Sequence, residues 1–407
     1  MTRLKKIFTL LCLIFVFSAT SVFAEIISDQ DFGFSLDIPE GFEIEDYSED
    51  GMSYLFLHPN IPVHFLMKIV QANNSSTTSS NTAENTSQSP SPADVLSKNL
   101  DKLKAQKDIT VFNWNQSECA ISEFSMNLDA AYAGWATACE LPAAKGFYLI
   151  LMTYSPENLK DGCNQFMISL LNSLCIDQNF YNTPGMIVSY AYPDEGRKKI
   201  QLNVAGTKIN TSIDKIAEEA AKFEIDLEFS VFKLYATNKL WKEAWQRYYR
   251  LIYRDNYGRI EPCISDILER LGTEAEKNNA GDKNLYIAQK LLSWVQDFDY
   301  SRKNSTPDEA DFTSLPAAIC GAGNDCDSRS MLVCACMRSL GLEAVLLISR
   351  EYSHAMAAVQ IEAPGQKYIP ENTELELLMG ETTAKVTWGM IAQDMADREK
   401  WIPVYLP

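Results

Sequence analysis

Cys326 lies in the stretch GAGNDCDSRSMLV, residues 321–333, between Asp325 and Asp327, with Gly321, Gly323 and Asn324 before it and an apolar run after it. A thiol flanked by carboxylates resists ionisation, because like charge raises its pKa, so nucleophilic use requires a compensating cation. The chain has three histidines, His58, His64 and His354, and only His354 falls in the C-terminal half. It stands in SREYSHAMAAVQIE, at the head of an apolar strand that follows the strand EAVLLIS. An imidazole in that role needs a third group to hold it, and QKYIPENTE places Glu371 and Asn372 at the end of the next short strand. The three types together suit acyl transfer: Cys326 attacks a carbonyl to give a thioester, His354 acts as base and then acid, and Glu371 or Asn372 orients the ring.

These residues need elements to hold them. Residues 301–325 read as an irregular loop, and Leu332, Ala335, Cys336 and Leu340 mark one face of a helix that Gly341 stops. Cys326 then falls in the first helical turn, where unpaired backbone N–H groups and the helix dipole favour a thiolate and supply part of an oxyanion hole. Trp294 and Tyr300 are near enough in sequence to contribute a further donor. Upstream, helical periodicity begins at Ser212 and runs through SIDKIAEEAAKFEIDLEFSVFKLYA, KLWKEAWQRYYRLIYRDNY, RIEPCISDILERLG and DKNLYIAQKLLSWVQDFDY. The Trp241, Trp245, Tyr248 and Tyr249 stripe reads as core rather than as a ligand box.

The order of helix-borne Cys, strand-borne His and acid on the next strand resembles the transglutaminase-like superfamily, including bacterial transglutaminase-like cysteine peptidases. The Gly-rich approach to Asp-Cys-Asp in GNDCDSRS and the His opening HAMAAV carry the resemblance, with LYIAQKLLSWVQDFDYSRK as the helix before the catalytic loop. It covers residues 235–405. It implies a papain-like α+β fold and a Cys326, His354, Glu371 triad, although this chain has Glu-Asn-Thr where the family most often has Asp-Pro-Thr. It requires no cofactor, but in some such peptidases acids flanking the Cys hold calcium, which would assign Asp325 and Asp327 as metal ligands. Helix-start acids are the simpler reading of these two residues.

The N-terminal half has a different pattern. FGFSLDIPEGFEI and MSYLFLHPNIPVHFLMKIV alternate as strands, and the polar insertion 72–92 interrupts them. Ser91-Pro92 starts a helix. ITVFNW, ECAISEFSM, AGWATACEL and GFYLILMTY return to strands, and Ser155-Pro156-Glu157 opens a second helix. The opening hairpin and helix placement resemble PsbP-like and Mog1-like domains. The expected fold class is α+β throughout: a PsbP-like unit at 25–176 made of an antiparallel sheet with two helices, a β bridge and helical connector at 177–234 with a turn at Gly206, and the transglutaminase-like unit at 235–407.

Residues 1–24 have a basic start, a short apolar stretch and a small-residue end at Ala24, the pattern of a secretory signal peptide, with an uncleaved anchor as the lesser alternative. No later stretch approaches the roughly 20 apolar residues that span a bilayer. Removing Arg3, Lys5 and Lys6 with the leader takes the 36 basic residues to 33 against 54 acidic ones, a net charge of −21. Such a surface argues against nucleic acid and anionic membrane as partners, the transglutaminase-like resemblance implies a protein or peptide substrate, and the leader implies a periplasmic or extracellular setting. Ten cysteines less Cys12 leave nine, an odd number, so at least one thiol stays free in a monomer.

Cys119 and Cys139 flank a β-hairpin and can sit opposite each other in a disulfide. Cys334 and Cys336 point about 200° apart on a helix and cannot readily share a metal. His58 and His64 have no evident partners and read as structural. A disulfide between Cys320 and Cys326 would silence the nucleophile. The expectation is an exported cysteine peptidase or amidase, with transamidation to an amine left open; the alternative is an inactive transglutaminase-like binding or scaffold protein of the cell envelope.

Overall fold

A computed structural model describes residues 26–72, 89–302 and 309–407. The expected leader with Cys12, and residues 73–88 of the expected insertion, lie outside them. The structure is α+β, and every strand pairing is antiparallel.

The chain opens with β1 (Ile26–Asp29), β2 (Phe34–Asp37), β3 (Glu43–Tyr47), β4 (Ser53–Leu57) and β5 (His64–Gln71). Helix α1 (Pro92–Lys102) follows, started by Ser91, whose side chain accepts from the Asp94 amide while Asp94 reaches back to the Ser91 amide. Then come β6 (Gln106–Trp114), β7 (Ser117–Asn127), β8 (Ala131–Glu140), β9 (Phe147–Pro156), α2 (Lys160–Asn172) and β10 (Leu174–Cys175). The second helix starts later than Ser155-Pro156-Glu157 suggested, because β9 stays paired with β8 as far as Pro156. A seven-stranded sheet in the order β3-β4-β5-β9-β8-β7-β6 carries α1 on one face and α2 on the other, and β1-β2-β10 form a small second sheet.

Helix α3 (Met186–Ala191) and the hairpin of β11 (Arg197–Val204) and β12 (Thr207–Asp214) make the bridge. The hairpin turns at Ala205 and Gly206, both with positive φ, as a two-residue turn between right-twisted strands demands. Helix α4 (Ala217–Lys233) leads to α5 (Trp241–Lys277), a single 37-residue helix where the sequence suggested two. Gly258 does not break it. A Cβ there would sit 2.7 Å from the Asn182 carbonyl, so the missing side chain lets a loop approach the helix closely.

Arg247, Arg250 and Arg254 stand three and four residues apart on α5, on one face. Arg247 donates to the Asp37 carbonyl at 2.8 Å, to Glu228 at 2.7 Å and to Ser169 at 2.9 Å. Arg250 grips the Asp37 carboxylate with two bonds of 2.7 and 2.9 Å, and Arg254 donates to the carbonyls of Ser173, Leu174 and Thr183. These bonds fasten the N-terminal sheets to the long helix.

The remaining elements are α6 (Lys283–Gln296), α7 (Leu315–Ile319), α8 (Cys326–Ser339), β13 (Ala344–Ser349), β14 (His354–Val359), β15 (Lys367–Tyr368), β16 (Leu377–Gly380) and β17 (Ile402–Tyr405). The five-stranded sheet runs β15-β16-β14-β13-β17, so β16 rather than β15 borders β14. Helix α8, whose residues Met331–Met337 are all buried, packs on one face with α5 and α6, and Trp401, Met356 and Tyr368 close the other. Among the described residues no helix is long and apolar enough to cross a membrane.

Candidate active site

The first two turns of α8 are bolted to the protein by polar side chains. Ser328 exchanges hydrogen bonds with the backbone of Thr313, 2.8 Å to its carbonyl and 3.1 Å from its amide. Buried Arg329 donates to Asn324 at 2.8 Å and to the Phe298 carbonyl at 2.7 Å, which fixes the loop leading to the cysteine. Gly323 lets that loop pass Ser301, whose Cβ would be 2.6 Å from a Cβ at that position. Ser330 donates to the Ala355 carbonyl at 3.2 Å and meets the Thr382 hydroxyl at 3.1 Å. The helix start, the head of β14 and the residues after β16 therefore converge.

Cys326 is the first residue of α8 and only 1% exposed. Its thiol donates to Asp327 Oδ1 at 3.2 Å. Burial pushes the thiol pKa far up, Asp327 and Asp325 push it further, and the Ala355 N–H opposes them. Asp327 Oδ2 accepts from the Tyr249 hydroxyl, so both oxygens of that carboxylate are engaged.

Asp325 occupies the N-cap position with an extended backbone, yet its side chain closes no cap hydrogen bond, and its buried Oδ1 has no partner among the described residues. Burial, Asp327 and Asp311 push its carboxyl up to about 7, against Arg302 and a weak interaction with the Ser328 amide. Calcium takes six to eight oxygen ligands. Among the described residues no group of three or more His, Cys, Asp or Glu is arranged for a metal, and Asp327 spends its two oxygens on Tyr249 and Cys326.

His354 opens β14 opposite Ser349. Its Nε2 is 2.8 Å from Glu381 Oε2, and the other oxygen of Glu381 accepts from the Thr383 amide and hydroxyl, each at 2.6 Å. Burial pushes the Glu381 carboxyl up, and its bonds to His354 and Thr383 more than offset that, holding it below the usual range. Glu381 follows Gly380, the last residue of β16. Trp388 covers Gly380 so closely that a Cβ would lie 2.5 Å from the indole, so only glycine fits. The residue expected to hold the ring, Glu371, is exposed in a turn beyond β15. The correction follows from strand order: the next strand in sequence is β15, but the next strand in space is β16.

Among the described residues no hydrogen bond joins Cys326 to His354: the thiol is engaged by Asp327 and the imidazole by Glu381. With Nε2 taken by Glu381, Nδ1 is the ring nitrogen left for chemistry. Trp401 lies edge-on to the imidazole with ring centres 6.4 Å apart. Half-exposed Arg302 stands 3.8 Å from Asp311 and 3.5 Å from the Ser353 carbonyl, next to His354. Tyr300 pairs with Asn324 and its ring meets Arg329, beside the cysteine, whereas Trp294 is buried against Phe298.

Cys320 is an exposed thiol and is not bonded to Cys326. His58 accepts from the Asn60 and Ile61 amides at Nδ1, so Nε2 donates to the Glu40 carbonyl, and His64 stacks on Tyr154. Sequence reasoning missed Glu381, Tyr249, Arg329, Ser330 and Thr382. The signal for Glu381 was the apolar run Leu377–Met379 ending in Gly-Glu-Thr-Thr.

No family model matches the chain, and no curated protein matches it. Among solved structures it is similar to the cyanobacterial PsbP of Synechocystis, with 13% identity, a TM-score of 0.30, and coverage of 39% of this chain and 95% of that one. The Ran-binding protein Mog1p of Saccharomyces cerevisiae gives 6% identity, a TM-score of 0.27, and coverage of 38% and 96%. A protein from Bacteroides thetaiotaomicron gives 10% identity, a TM-score of 0.25, and coverage of 84% and 88%. The first two agree with the PsbP-like and Mog1-like resemblance and carry nothing about activity.

Proposed function

We propose that the chain is an exported cysteine enzyme of transglutaminase-like type, which hydrolyses peptide or amide bonds through a thioester on Cys326. The observation that supports this most is the convergence of three elements: a cysteine at a helix start, the first turns of that helix bonded through Ser330 to the Ala355 carbonyl, and the adjoining His354 tied to Glu381. Glu381 takes the orienting role first given to Glu371.

In this mechanism the Cys326 proton passes to His354 Nδ1, and Glu381 stabilises the resulting imidazolium. The thiolate attacks the substrate carbonyl, with N–H groups at the start of α8 facing the developing oxyanion. His354 returns the proton to the leaving amine, the C–N bond breaks, and the thioester forms. His354 then takes a proton from water, the hydroxide oxygen adds to the thioester, the C–S bond breaks to release the acid, and His354 returns the proton to the leaving sulfur to restore the Cys326 thiol. An amine in place of water would give transamidation. The leader at 1–24, the PsbP-like unit at 25–176 and the transglutaminase-like unit at 235–407 belong to the same reading.

A second reading is favoured by one specific feature: Cys326 is almost fully buried, with its thiol donating a hydrogen bond to Asp327, as in an inactive scaffold that keeps the fold. The two separate on a peptide library with fluorogenic amides. Turnover that is lost in Cys326→Ala and in His354→Ala, with both variants folded, supports the enzyme; no turnover by the wild type on any member supports the scaffold.

A further inference from the structure

All nine cysteines among the described residues are thiols, and two of them face each other. The β7–β8 hairpin keeps one register from Asn127 opposite Ala131 to Cys119 opposite Cys139. Directly opposed side chains leave the same face of an antiparallel pair, with Cα atoms about 4.5 to 5.5 Å apart. A disulfide spans Cα separations of roughly 4.4 to 6.8 Å, so the register suits the bond. The other cysteines lack this relation: Cys163 is on α2 and Cys175 on β10, Cys334 and Cys336 share a helix, and Cys320 is exposed at the end of α7.

We propose that Cys119 and Cys139 are joined by a cross-strand disulfide when the chain folds in an oxidising compartment. The bond is independent of the reaction at Cys326 and leaves an odd set of thiols that includes it. The oxidant is a protein thiol–disulfide oxidoreductase in its disulfide form. One cysteine of the pair attacks that disulfide as a thiolate, and the second displaces the resulting mixed disulfide. The S–S bond forms between Cys119 and Cys139, and the oxidoreductase departs as a dithiol carrying both electrons and both protons.

The fold sets the timing. Cys119 and Cys139 are 0% and 1% exposed, and burial pushes the Cys119 thiol up to about 12 and that of Cys139 far up as well. Exchange runs through thiolates, so a hairpin that closes reduced is inert, and one that closes oxidised is shielded from reductant. The bond therefore forms before β7 and β8 are covered.

The test refolds the full chain, denatured and reduced, in a mixture of reduced and oxidised glutathione. The product is then alkylated and digested without reductant. The proposal expects one linked peptide joining Cys119 to Cys139, with Cys326 recovered alkylated. Recovery of Cys119 and Cys139 both alkylated, or each linked to a different cysteine, would overturn it. Oxidised glutathione added only after reduced refolding is expected to leave both as thiols, and rapid linkage there would overturn the timing.

Discussion

At Cys326 the immediate surroundings work against the thiolate: two carboxylates, burial and a hydrogen bond to Asp327 all favour the protonated form. In the proposed mechanism proton transfer to His354 reverses that, and its Nε2 bond to Glu381 is what would stabilise the cation. Glu381→Gln is expected to lower turnover substantially while Glu371→Gln leaves it near wild type, as measured by initial rates on the same peptide amide. Asp327→Asn removes the largest charge that raises the thiol pKa, so the pH midpoint of Cys326 alkylation is expected to fall. A midpoint that stays or rises would count against this electrostatic account. Cys326 and His354 could be singled out as candidates because Asp-Cys-Asp and a lone C-terminal histidine are sparse, local signals. Glu381 was hidden because its role depends on which strands are neighbours in space, which spacing does not encode.

Among the elements, α5 was the hardest to read, since Gly258 and Pro262 look like breaks, and the helix instead runs through both. Gly258 serves close packing, a long-range cause invisible in local pattern. The β7–β8 hairpin and α1 were plain, because alternation and a capping box are local rules. Glu40, just after β2, shows what the junction with α5 does to a titrating group. Burial pushes its carboxyl up to about 8 despite Arg247, and its oxygens have no partner among the described residues. Because the folded pKa is raised, the unfolded chain ionises first, and stability contributed by neutral Glu40 is lost as pH rises from about 4.5 towards 8, by at most about 1.4 kcal/mol per pH unit. Glu40→Gln is expected to flatten that decline in urea unfolding between pH 5 and 8. An unchanged slope would show that Glu40 is not the titrating group.

Across the whole molecule, the arginine face of α5 makes the N-terminal sheets and the C-terminal helices one fastened body. The α+β class and the change from strand to helix periodicity near Ser212 were legible in the sequence. The fastening was not, because Asp37 and Arg250 are 213 residues apart. Asp37→Asn breaks a largely buried bidentate pair and is expected to cost about 3 kcal/mol or more. The wild type is expected to unfold in a single calorimetric transition; two well-separated transitions would show that the halves are not coupled.

The most direct test of the central claim, that Cys326, His354 and Glu381 act as one unit, is the rate of Cys326 alkylation by iodoacetamide from pH 5 to 10. It would be measured in the wild type, His354→Ala, Glu381→Gln and Glu371→Gln, with labelling assigned by peptide mass. The account predicts that at pH 7 His354→Ala slows labelling by about a hundredfold, on the scale of a lost general base, that Glu381→Gln falls between, and that Glu371→Gln matches the wild type. Equal rates and one ordinary thiol midpoint in all four proteins would contradict it.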